Sequence, residues 1–160
     1  MRRAFDSVQR AEFAAPVVER TAAGARRLGE LYWREVERST LGLVRARPAA
    51  GGPSLRLLGR GPALLRFGLP EVATSTTGVC CLYPIRGGLL ARVAAGSISF
   101  TQTGSDGVEV RSAINGFVPR LAARPGRPRW QGVLYGQVQA RLHDAVARRY
   151  FARLGREASR

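Results

Sequence analysis

The chain has 160 residues, a mass of 17.3 kDa, a formal charge of +15 and hydrophobic side chains at 45% of its positions. That length and apolar share exclude a disordered chain and suit one domain with its own core. All 26 basic residues are arginine, against 11 acidic ones; a GC-rich coding bias accounts for arginine over lysine but not for the scarcity of acids, so nucleic acid or another anionic surface enters as a partner class.

A single histidine, His143, and two adjacent cysteines, Cys80 and Cys81, offer no metal-ligand spacing, so no metal and no cofactor is expected. Neighbouring strand residues point to opposite faces, which makes the cysteines free thiols and favours a reducing compartment. No apolar run reaches the roughly 18 to 20 residues of a membrane span. MRRAFDSVQRAEF carries early arginines without the apolar core of a secretion signal, so a cytoplasmic location is the expectation.

In chain order, residues 6–14 (DSVQRAEFA) fit either a short strand or a helical turn. A helix is predicted over AAPVVERTAAGARRLGELYWREVERS, with Pro16 in its first turn. Val18, Ala22, Ala25, Leu28, Tyr32 and Val36 recur at threes and fours and form its apolar stripe. Gly24 and Gly29 mark either a break or a close packing contact. From Leu41 the period changes to that of strands. LGLVRARP (41–48), SLRLLGR (54–60), ALLRFGL (63–69) and VCCLYPI (79–85) are separated by AAGGP, by the glycine–proline pair at 61–62, and by Pro70 with TSTTG. SISFTQT (97–103) and VEVRSAINGF (108–117), joined through Asp106–Gly107, predict an antiparallel hairpin.

Between the last two of these strand blocks and their predecessor lies LYPIRGGLLARVAAG. It lacks the helix N-terminus that a phosphate loop needs, so Gly87 and Gly88 are read as a bend. Leu89 and Leu90 then either fold over an opening or pack into the core. After Pro119, the Pro- and Arg-rich AARPGRPRWQG predicts a loop. VLYGQVQARLHDAVARRYFARL follows as the strongest helix, striped by Leu134, Val138, Leu142, Ala145, Val146, Tyr150 and Leu154. The expected product is one α+β domain over 1–160, with a core from about 7 to 154 and a flexible tail at 155–160. It has a six- to seven-stranded antiparallel curved sheet packed on a long C-terminal helix, with an N-terminal helix.

No catalytic constellation emerges, and whether the protein is an enzyme stays open. His143 and Asp144 diverge by about 100° on a helix, Glu71 and Glu109 find no partner carboxylate, and the serines of SISF lack a nucleophile elbow. Alternation turns Tyr83, Phe100, Gln102 and Ser112 inward, where a few polar groups among apolar ones make a small-molecule site. Leu142 joins them from the last helix, and Trp33, Trp130 and Tyr135 flank an entrance. A competing reading gives Arg141, Arg148, Arg149 and Arg153 to an anionic partner, with the aromatics of ARRYFARLGR available for stacking.

The order of elements, and the AP pair at 15–16 that opens the first helix, resembles the START-like (SRPBCC) helix-grip superfamily. In that family a curved sheet wraps around the terminal helix. The resemblance implies a cavity between sheet and helix that takes a small apolar molecule, lipid- or polyketide-like, and in a few relatives catalyses cyclisation or dehydration. A single long first helix stands where that family places two short ones.

Overall fold

The computed structural model describes residues 4–91, 93–119 and 129–159, with side chains of the last range described from residue 140. The ambiguous N-terminal segment is a strand, β1 (Phe5–Phe13), because β8 (Val108–Phe117) offers it an antiparallel edge, from Ser7↔Ile114 to Phe13↔Val108. The first helix, α1 (Ala22–Ser39), begins six residues later than Pro16. Thr21 supplies the cap, its hydroxyl accepting from Gly24 N at 3.1 Å. The preceding backbone cannot be helical because Val17 N and Val18 N are turned toward the Gln102 side chain. The helix runs unbroken through both glycines. Gly29 is the close contact: a Cβ there would stand 2.6 Å from the Tyr83 hydroxyl oxygen, so the bare helix backbone seats on that ring.

The sheet has eight strands rather than six or seven. β2 (Val44–Arg47), β3 (Ser54–Leu57), β4 (Ala63–Phe67), β6 (Gly78–Gly87), β7 (Ser97–Thr103) and β8 fall where the alternation places them. β5 (Glu71–Thr74) lies in what reads as a break after Pro70; it is short and mostly exposed, and its pattern is too brief to register as a strand. The spatial order is β1-β8-β7-β6-β4-β3-β2, with β5 also on β6, and every pairing is antiparallel. It is therefore not a plain meander. β5 takes the first half of one edge of β6, and β4 takes the end of the same edge through Arg66↔Gly87 and Phe67↔Ile85. Beyond β6 the chain stays beside β4, with Leu89 N and Leu90 N donating to Ala63 O and Leu64 O at 3.0 Å. Gly87 and Gly88, both at φ 129, form the bend.

The final helix, α2 (Arg129–Ala158), continues past Leu154, so residues 155–158 are helix and not tail. α1 and the C-terminal half of α2 fill the concave side of the sheet. Leu28, Leu31, Tyr32 and Trp33 meet Val79, Cys81, Tyr83 and Ile85 of β6, Ile98 and Phe100 of β7, and Val146, Tyr150 and Leu154 of α2. The element order and the sheet curved around a long terminal helix agree with the helix-grip arrangement. The two helices are also tied by charge. Buried Glu35 accepts from Arg38 at 2.8 Å and from Arg153 at 3.3 Å, and Arg27 meets Glu157 at 3.0 Å. Among the described residues both cysteines are free, Cys81 inside and Cys80 on the opposite face.

Candidate functional site

Side-chain size decides where the interior is solid and where it is open. Six aromatic rings, Tyr32, Trp33, Phe67, Tyr83, Phe100 and Tyr150, pack edge-to-face or tilted with centroids between 4.8 and 6.3 Å apart. They plug the space over the middle of β6 and β7. Toward the β2–β4 end the inward residues are aliphatic, and a cavity of about 180 Å³ remains. Its walls are Val36 of α1, Val44, Leu55 and Leu65 of β2–β4, Ile98 and Ile114 of β7 and β8, and Leu142 and Val146 of α2. Phe5, Leu64, Ile85, Leu90 and Phe117 also line it, with Tyr32, Trp33 and Phe67 forming the end nearest the aromatic plug.

Polar groups in this wall are few and mostly occupied. The Thr40 hydroxyl donates to Val36 O at 2.9 Å and accepts from Val44 N at 3.1 Å, as the C-cap of α1. The Tyr32 hydroxyl lies 3.3 Å from His143 Nδ1. Burial pushes the Tyr32 phenol far above its usual range, so it stays protonated. Burial also lowers His143, against a smaller opposing pull from Asp144. In the neutral tautomer that accepts from the phenol at Nδ1, the imidazole carries its proton on Nε2. Asp144 does not orient His143, since its carboxylate accepts from Gln9 at 2.8 Å. The indole Nε1 of Trp33 is buried without a partner among the described residues.

The expected ligand-binding residues divide. Trp33 and Leu142 line the cavity. Phe100 belongs to the aromatic plug. Tyr83 faces α1 at Gly29 and the floor of a second, shallower cleft of about 460 Å³, rimmed by Arg26, Glu30, Arg34, Glu37 and Arg47. Gln102 points inward and is engaged by the chain: its Oε1 accepts from Val17 N at 2.8 Å and Val18 N at 3.1 Å, and its Nε2 donates to Val18 O at 2.9 Å. Ser112 is buried opposite Phe100, away from the cavity. Tyr135 and Trp130 lie in α2, and their side chains fall outside the described residues, as do residues 120–128, where a loop is expected.

Sequence reasoning missed Tyr32 and His143 as a pair. A helical signal was present, because His143 precedes Val146 and Tyr150 by three and seven positions and so shares their face. Of the arginines assigned to an anionic partner, Arg141, Arg148 and Arg149 are exposed. Arg153 is engaged by Glu35 and by Glu157 at 3.4 Å. Tyr150 is fully buried and Phe151 packs on the core, so neither offers a face for base stacking. Leu90 packs against the core and lines the cavity, whereas Leu89 is exposed.

No protein-family model and no curated protein matches the sequence. Among solved structures, the chain is similar to the crystal structure of Ara h 8.0201, at 12% identity and a TM-score of 0.36. The alignment covers 92% of this chain and 99% of that one.

Proposed function

We propose that the protein binds a small apolar molecule in the cavity between β2–β4, β7, β8 and α2. The observation that supports this is a pocket of about 180 Å³ whose walls, among the described residues, are almost wholly hydrocarbon, with the His143 imidazole and the Trp33 indole as nitrogen-bearing groups. A dry apolar cavity of about 150 Å³ is enough for benzene, whereas drug-sized ligands occupy roughly 300 Å³ or more. The ligand class is therefore a small aromatic or the terminal part of an alkyl or acyl chain, with a carbonyl or ether oxygen to meet His143.

The test uses toluene, hexanol and octanoate as probes, followed by calorimetry. With Trp130→Phe, Trp33 becomes the sole indole and its emission reports occupancy directly. Saturable binding is expected, and Val146→Phe, which fills the void from α2, should lower affinity about tenfold or more while keeping the fold. Absence of saturable binding by every probe, or binding that Val146→Phe leaves untouched, would overturn the reading.

A further inference from the structure

From Arg38 to Pro70 the sequence holds six arginines (Arg38, Arg45, Arg47, Arg56, Arg60 and Arg66) and no acidic residue. This stretch builds the α1–β2 turn, β2, β3 and β4, and β2 is an edge strand of the sheet. Its two tight turns touch, since Leu58 N donates to Leu43 O at 2.7 Å. On these turns Leu41, Leu43, Leu57 and Leu58 are 91%, 55%, 41% and 62% exposed. Arginines frame them. Arg45 Nε donates to Gly42 O at 3.1 Å, Arg56 to Gly61 O at 3.2 Å, and the Arg47 guanidinium covers Gly59.

Folding alone gives no reason for these leucines. Leu41 and Leu58 adopt φ of 53° and 52°, the left-handed region in which Asn or Gly is far less strained. Both also present their hydrocarbon to water. Apart from Arg38, which holds Glu35, these arginines make no ion pair among the described residues. Exposed leucine beside such arginines is the chemistry of a bilayer interface: the alkyl group enters the acyl boundary and the guanidinium meets lipid phosphate. Nucleic acid would account for the charge but not for the leucines, because the stretch carries no exposed aromatic for a base to stack on.

We propose that this leucine-tipped, arginine-framed end is a peripheral docking surface for an anionic lipid bilayer. The surface is distinct from the arginines of α2 and needs nothing bound in the cavity. Among the described residues no helix is long and apolar enough to cross a membrane, which is compatible with a contact made by turns alone.

Flotation with vesicles of phosphatidylcholine, and of phosphatidylcholine with about one third phosphatidylglycerol, tests it. The wild type should float with the anionic vesicles only, and less so at high salt. Leu41→Asn with Leu58→Asn should lower that binding about tenfold or more, while the melting temperature holds or rises as the backbone strain is relieved. Arg45→Gln with Arg60→Gln should weaken binding and flatten its salt dependence. Equal flotation with both vesicle types, or with neither, overturns the proposal. So does a leucine variant that floats like the wild type. Two further results would assign the surface elsewhere and count against it: a dimer that the leucine variant makes monomeric while flotation is unchanged, or RNA binding lost in the arginine variant and kept in the leucine variant.

Discussion

A buried primary amide that serves three backbone groups is a structural clamp, and Gln102 is spent on holding the chain between β1 and α1. Its inward direction was legible from the alternation of SISFTQT; its partners were not, because Val17 and Val18 lie 85 and 84 positions away. His143 is the reverse case, since a lone helical histidine is most simply read as a surface group. Its pKa lies below the ordinary 6.5 because burial disfavours the imidazolium. The unfolded chain takes up a proton near 6.5 that the native chain resists. This group's stabilisation is therefore complete above 6.5 and is lost as the pH falls below it. His143→Gln keeps an acceptor for Tyr32 and removes the titration. In urea unfolding at several pH values, the wild type should lose stability relative to this variant on acidification, and a constant difference would count against a neutral buried His143.

Between elements, the contact of α1 with α2 combines an apolar seam with a carboxylate that has left water. Glu35 keeps 5% of its side chain exposed, and its inner partner Arg153 keeps 18%. Removing Arg153 leaves that charge to Arg38, whose side chain is 55% exposed and wet. Arg153→Met should cost about 2–3 kcal/mol, less than a fully buried pair because Arg38 remains. Glu35→Leu combined with Arg153→Met should recover most of the loss. A denaturant midpoint unchanged by Arg153→Met would mean that the pair contributes nothing. Helices and long strands were legible at this scale because their periods are long. The start of α1 was not, since the stripe from Val18 continues backward through a segment whose amides are captured by Gln102. Nor was β5, since four residues after a proline carry little pattern and become a strand only because β6 offers an edge.

For the molecule as a whole, sheet, helices and their order could be read from the sequence, whereas the position of the cavity could not. Alternation says which residues face inward, not whether they meet. Tyr83 and Phe100 were expected around a ligand, and they meet each other and four further rings instead. The open volume lies where Val44, Leu55 and Leu65 are too small to close the gap. That wall belongs to β2–β4, which joins the larger part of the sheet along one short seam, Arg66↔Gly87, Phe67↔Ile85 and the amides of Leu89 and Leu90, and is held to α1 through Thr40 and Glu37. A unit joined to the sheet by so short a seam is expected to open before the larger part. In hydrogen exchange, amides of β3 should be replaced by deuterium through a lower free energy than those of β7 and β8, whose longer pairings lie within the larger part of the sheet. If instead all three strands exchange together, the sheet opens only globally. The same loosening would widen the hydrocarbon pocket, so the seam sets a tolerance: a bulkier apolar guest would be admitted only as far as this flap can yield.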